Sequence, residues 1–482
     1  MDRALRPSEI RYAKSGDVHV AYQTLGTGPV DLVLGFSGIA QLEVMWEEPS
    51  LARQFGLISE FSRLILFDKR GVGLSDRNVG IATLDDRMDD IRAVLDTIGS
   101  QRAVLFGTLD GAPLSILFAA SYPQRTVGLV LWGGQARSVW APDYTWAKTR
   151  EAWEAEIARD EEEWGSDSHI DRVVALLAPS RIGDPEFHRW MKRRIRFGAS
   201  PAEGSALSRM NMQIDVRSAL SALHVPTLVM FTPESRASSV EDARFLASHI
   251  PHARLEEIRC PDHFFWATPG GIDRVVGSMR RFVEGLVGAP ETDRILTTVL
   301  FTDIVGSTER VSELGDRRWS QLLDRHFDAV RQEVSRYRGT VVKTTGDGTL
   351  SIFDGPTRAI RCALALARLA GAEGLSLRAG MHTGECMLKG GDVHGIAVHI
   401  ASRIADEAGP GEVLVSSTVR ELSVGSDVVF GSRGSHRLRG IEGEWQIYSA
   451  GIEGVVPVPP AAEIPPTVPT GGPADRRTRS DS

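Results

Sequence analysis

Runs of consecutive apolar residues punctuate the first half of the chain: DLVLGF (31–36), RLILFD (63–68), AVLFG (103–107), VGLVLWG (127–133), PTLVMFT (226–232) and ARLEEIR (253–259). The middle runs lack alternation, as strands covered on both faces do, and helix-patterned segments such as DRMDDIRAVLDTIG (86–99) lie between them. That order predicts a mostly parallel sheet wrapped by helices. Ahead of it, IRYAKSGDVHVAYQTLG (10–26) places two strand-like stretches around Ser15-Gly16-Asp17, an antiparallel hairpin. Strands cease between about 137 and 220, where a polar, Trp-rich helical stretch predicts a cap over the sheet's carboxyl edge.

The pattern changes after GLVGAPETDRI (285–295), whose Gly and Pro mark a domain boundary. A strand, TTVLFTDIVGST (297–308), precedes a helix with Trp319, Leu322, Leu323, Phe327, Val330 and Val334 on one stripe. Then come a strand-turn-strand, GTVVKTTGDGTLSIF (339–353), a helix around Ile360, Ala363, Leu364 and Ala367, and further strands. The expected organisation is a first domain over 1–287, a linker over 288–294, a second domain over 295–452 and a Pro-rich disordered tail over 453–482. No internal repeat is visible.

Composition narrows the partners. The 482 residues are 42% apolar and 24% charged with a net charge of -8, which gives nucleic acid and anionic lipid no basic surface to bind. The one basic cluster, RWMKRRIRF (189–197), reads as an amphipathic helix with a solvated charged face. Cys260, Cys362 and Cys386 form no CxxC pair and suit a reducing compartment better than a disulfide framework. No apolar run is long enough to cross a bilayer, and the opening MDRALRPSEIRY has no signal-peptide core; the expected location is cytoplasmic.

The strand order, the cap and FDKRGVGLSD (67–76) together resemble the α/β-hydrolase superfamily over about 10–285. That fold presents its nucleophile on a tight strand-to-helix turn, Gly-x-nucleophile-x-Gly. Here the turn reads Gly107-Thr108-Leu109-Asp110-Gly111, so the small residues are present and leucine stands at the apex. Asp110 lies one step past it and is expected to point elsewhere. Ser235 occupies the position of the triad acid, with Glu234 adjacent, and His263 matches the late histidine. The resemblance implies a hydrolase shape without turnover, whose pocket takes a small apolar ligand or serves only as scaffold.

Residues from about 295 to 450 resemble the class III nucleotide cyclase catalytic domain, which implies an α+β, ferredoxin-like fold and, with the first half, a hydrolase–cyclase fusion of the mycobacterial type. VLFTDIVGST delivers Asp303 at a strand end and VVKTTGDGTLSIF presents Asp347 at a hairpin tip. The resemblance makes these, with the Ile304 carbonyl, ligands of two Mg2+ or Mn2+ ions that assist attack of a ribose 3′-oxygen on the α-phosphorus of ATP. Lys343 and Asp392 match the adenine readers; guanylate cyclases carry Glu and a small residue such as Cys there. Arg403 matches the arginine at the α-phosphoryl group. His399 replaces the family's ribose-orienting asparagine, and Arg439 lies near a triphosphate-binding position. The family builds its sites across a head-to-tail dimer, and one copy of each element implies a homodimer with two composite sites. An esterase with an unusual nucleophile, or a binding protein silent in both halves, are the alternatives.

Overall fold

The computed structural model describes residues 7–35, 38–77, 79–80, 82–286 and 294–452. The expected tail and all of the expected linker except Arg294 lie outside these residues; Arg294 opens a strand.

Eight strands build the first domain: β1 Arg11–Ser15, β2 Val18–Leu25, β3 Asp31–Gly35, β4 Arg63–Phe67, β5 Ala103–Thr108, β6 Thr126–Trp132, β7 Thr227–Phe231 and β8 Arg254–Glu257. Their order is β1-β2-β4-β3-β5-β6-β7-β8. The β1–β2 hairpin joins β4 antiparallel and everything from β4 to β8 is parallel, which is the predicted α/β-hydrolase architecture. The consecutive apolar runs are buried because helices cover both faces: Leu84–Thr97 and Gly111–Ser121 on one, Pro49–Ser59 and Gly271–Glu284 on the other. Thr83 and Asp86 start the helix Leu84–Thr97 with a reciprocal capping box.

Four helices form the cap: Arg150–Glu162, Asp167–Leu177, Pro185–Gly198 and Pro201–Met212. The basic cluster is helical as expected, with Trp190 and Ile195 inward, but its charged face is not wholly solvated. Arg194 is only 6% exposed, while Phe197 is 52% exposed. The helix turns a cation, rather than its last aromatic, toward the domain below.

The second domain holds β9 Arg294–Ile304, β10 Thr340–Thr345, β11 Gly348–Phe353, β12 Leu377–Lys389, β13 Asp392–His394, β14 Val413–Ser416, β15 Val428–His436 and β16 Trp445–Ile452. The sheet runs β10-β11-β9-β12-β14-β16-β15, with β13 on the end of β12. Its first four strands, order β12-β9-β11-β10, form an antiparallel ferredoxin-like core. Helices Asp316–Arg336 and Pro356–Ala372 bury one face of the sheet, and Ile396–Asp406 packs on the other. On the predicted stripe Trp319, Val330 and Val334 are buried, and the adjacent His326 joins them.

The two domains touch. Arg358 pairs with Asp354 (2.7 Å) and reaches across to Asp89; Asp354 also accepts from Arg92 (2.9 Å) and from the Tyr122 hydroxyl (2.6 Å). Gly355 lies so close to the Asp85 carboxylate that a Cβ would overlap it. His224 meets Glu385 at 2.8 Å, and Leu296, Leu422 and Val424 complete the apolar core of the first domain.

Candidate active site

In the first domain β5 ends at Thr108 and Leu109 turns the chain with φ +42°, a left-handed conformation that a branched side chain adopts only under constraint. The strained backbone of an elbow is therefore kept, with a leucine at its apex. Asp110 points away from the apex. It accepts from the Gly38 N–H (2.7 Å), Lys69 Nζ (3.0 Å) and Asn211 Nδ2 (3.0 Å). Burial raises its pKa, but Lys69, the Gly38 N–H and the Arg87 charge hold it below the usual carboxylate range, so it stays ionised.

Ser235 meets His263 Nδ1 at 3.3 Å, in the place of a triad acid. Glu234 faces away, accepting from Thr232 Oγ1 at 2.5 Å. His263 Nε2 is buried without a hydrogen-bond partner, and burial lowers the ring's pKa to about 4. A neutral imidazole beside a hydroxyl and a leucine has no proton to take from an attacking group.

In the second domain the register of β9 and β11 pairs Thr302 with Thr349, which sets the Asp347-Gly348 turn beside Asp303. Gly348 makes this approach possible: a Cβ there would crowd the Thr302 carbonyl and stand 3.3 Å from Asp303 Oδ1. On the other side of β9, Arg378 of β12 donates to Asp303 Oδ2 at 2.5 and 2.9 Å. Sequence reasoning missed this arginine, which looks like any strand-edge cation until the register places it opposite Asp303.

Two carboxylates and the Ile304 carbonyl supply hard oxygen donors of the kind magnesium and manganese prefer. Among the described residues no set of three acidic, His or Cys side chains converges on one point. The donor set suits an ion that draws its remaining ligands from substrate phosphates and water.

Lys343 of β10 and Asp392 of β13 meet, with Nζ 2.7 and 2.8 Å from the two carboxylate oxygens. The lysine's hydrogen bond, helped by the Val393 N–H, lowers the pKa of Asp392. His399 and Arg403 lie one turn apart on the helix Ile396–Asp406, both exposed or nearly so. Arg403 donates to Asp406 (2.9 Å) and to the Arg439 carbonyl (3.1 Å), which brings the loop carrying Arg439 to the end of that helix.

Comparison with known proteins agrees with this division. Residues 289–450 match the family model for the adenylate and guanylate cyclase catalytic domain, and residues 62–265 match that for serine aminopeptidase, S33. A pH-sensitive adenylate cyclase of Mycobacterium tuberculosis is 28% identical over 34% of this chain and 43% of its own. A 3-oxoadipate enol-lactonase of Acinetobacter baylyi is 23% identical over 50% of this chain and 85% of its own. The crystal structure of the adenylyl cyclase CyaB from P. aeruginosa is 25% identical, covers 34% of this chain and 96% of that one, and superposes with a TM-score of 0.32. The chain spans 32 to 43% of the length of the cyclase relatives it matches. No helix among the described residues is long and apolar enough to cross a membrane. The protein is a fusion in which an α/β-hydrolase-fold domain precedes a class III adenylate and guanylate cyclase catalytic domain.

Proposed function

We propose that the protein is an adenylate cyclase that converts ATP to 3′,5′-cyclic AMP and pyrophosphate, with the hydrolase-fold domain as a non-hydrolytic regulatory or ligand-sensing unit. What supports this reading is the β9–β11 register, which pairs Thr302 with Thr349 and so sets the turn that carries Asp347 against the end of β9 that carries Asp303. Two divalent ions held there would supply charge neutralisation for the attacking 3′-oxygen and the leaving pyrophosphate.

The chain's own residues divide the remaining work. Arg378 neutralises Asp303 in the resting protein and yields its share of that carboxylate when substrate arrives with its cations. Lys343 donates to a ring nitrogen of adenine and Asp392 accepts from the exocyclic amine, a pattern that guanine reverses. Their mutual ion pair keeps both side chains in place and opens to admit the base. Arg403 stabilises charge growing on the α-phosphoryl group, His399 positions the ribose, and Arg439 holds the triphosphate. Protomers pair head to tail, so that metal ligands from one subunit face base readers from the other. ATP as substrate, with Cys260, Cys362 and Cys386 all buried and free, suits the cytoplasm.

The test is cyclic nucleotide production by purified protein with Mg2+ or Mn2+, with ATP and GTP in parallel. The expected result is ATP turnover that Asp303→Ala lowers by roughly a thousandfold. GTP used as well as ATP would sink the adenine assignment, and turnover surviving Asp303→Ala would sink the site.

A further inference from the structure

The helix Leu84–Thr97 carries a cation where its own field least favours one. Arg87 closes the first turn, its N–H donating to the Thr83 carbonyl, at the end of the helix dipole that repels positive charge. The residue is only 6% exposed, and its Nε is buried without a hydrogen-bond partner. Among the described residues no hydrogen bond or ion pair engages its guanidinium. Asp110 and Asp90 attract it from further off, but Lys69 holds the first at 3.0 Å and Arg70 holds the second at 2.6 Å. A charge so placed costs stability that only a further partner would return.

Arg87 lines a pocket of about 280 Å³ between the loop that follows β4 and the last cap helix, Pro201–Met212; Leu109 and Asp110 have no part in its walls. Arg70 and Arg77 share those walls with one acid, Glu203. Asp90 holds Arg70 through two hydrogen bonds. Glu203 is engaged twice, accepting from the Ser200 N–H at 2.7 Å and meeting Arg77 Nη2 at 3.4 Å. The Arg77 Nε is left over, buried and without a partner like that of Arg87. Ala82, Ala206, Leu207 and Met210 make the rest of the wall apolar, so the few polar groups decide what the pocket accepts. Two of these residues also meet the second domain. A Cβ on Gly425 would stand 2.8 Å from the Ala82 carbonyl and 3.4 Å from Met210 Cγ, and Leu422 and Val424 join the same apolar core as Met210.

We propose that this pocket binds a carboxylate with a short apolar body, its head group on Arg87 and the Arg77 Nε–H and its body against Leu207 and Met210. A guanidinium fork matches the two oxygens and the single charge of a carboxylate. The bound anion offsets both the burial of Arg87 and its place at the positive end of a helix. Through Ala82 and Met210 the occupied pocket bears on the second domain. The proposal deepens the reading of the first domain as a ligand-sensing unit, and rests on it.

The test is calorimetric titration of the full-length protein with hexanoate and with hexanol, which share the apolar body and differ in the head. Hexanoate is expected to bind roughly tenfold more tightly or better, since a charge-assisted hydrogen bond carries that much discrimination. Arg87→Met, which keeps the length and removes the charge, is expected to erase the preference. Because a buried arginine can matter for folding, Ala206→Phe, which fills the pocket from the cap side, supplies a second variant; it is expected to erase the preference with the thermal unfolding profile kept. Ser208→Phe, which narrows the separate cleft over Leu109, is expected to leave the preference intact. Equal affinity for the two probes, binding of neither, a preference that survives both Arg87→Met and Ala206→Phe, or one that Ser208→Phe removes overturns the proposal. Saturating hexanoate is also expected to change the rate of cyclic AMP formation by roughly fivefold. Binding with that rate unchanged would instead overturn the sensing reading, independently of the site.

Discussion

At the elbow Leu109 holds the apex, and Ser235 meets Nδ1 of His263. Leu109→Ser alone is expected to leave p-nitrophenyl ester turnover near background, because a serine without an oriented, polarised histidine is a weak nucleophile. Leu109→Ser with Ser235→Asp is expected to raise turnover over the single variant by roughly a thousandfold, read by initial rates. No gain from the pair would mean that the oxyanion side of the site is lost as well. In the cyclase half the departure is His399. His399→Asn is expected to raise the cyclase rate by roughly tenfold through better ribose placement. An unchanged rate would remove His399 from the mechanism. Both departures stand out in the sequence, since each interrupts a local motif. Arg194 and Arg378 do not, because a cation's role in this molecule depends on which strand or helix is packed opposite.

At the level of elements, the helix Leu84–Thr97 joins the halves. It caps itself with Thr83 and packs its apolar side on the first sheet, yet it sends Asp85, Asp89 and Arg92 toward the Asp354-Gly355 turn and toward Arg358 in the first turn of the helix Pro356–Ala372. Asp85 is the exceptional member: both of its carboxylate oxygens are buried without hydrogen-bond partners, and burial, partly offset by Arg358, raises its pKa from 3.8 to about 7. Between those two values the folded protein holds a proton that the unfolded chain has lost, so this group costs progressively more stability as pH rises from about 4 to about 7 and then no more. Asp85→Asn is therefore expected to gain a few kcal/mol on the wild type across that window, with the difference constant above it. Urea unfolding of both proteins from pH 4 to 8 measures this, and parallel curves would show that Asp85 does not titrate on folding. Helix and strand identities were legible in the apolar periods. This interface was not, because its acids look like an ordinary solvated helix face.

For the whole molecule, the proposed head-to-tail pairing makes a prediction that no single-chain site shares. Asp303→Ala and Arg403→Ala disable different halves of each composite site. Each homodimer is expected to be inactive, whereas an equal mixture of the two, allowed to exchange subunits, should recover roughly a quarter of wild-type activity, since half the dimers are mixed and each has one intact site. No recovery, with exchange shown by native mass spectrometry, would place every catalytic group within one chain. The hydrolase-fold domain itself docks onto β9, β12 and the helix Pro356–Ala372 of the second domain.

Two domains, their classes and the positions of the cyclase motifs could be read along the chain, because strand and helix periods, turn glycines and short motifs are local properties that survive in one dimension. So could the leucine at the apex of the elbow, since Gly107 and Gly111 frame residue 109. Three things waited for the folded molecule: the ion pairs of Asp303 with Arg378 and of Lys343 with Asp392, the contact between the domains, and the burial of Arg194 beneath the cap. Each depends on burial and on partners distant in sequence, and the same charged side chain is a solvated ornament or a binding group according to what folds over it.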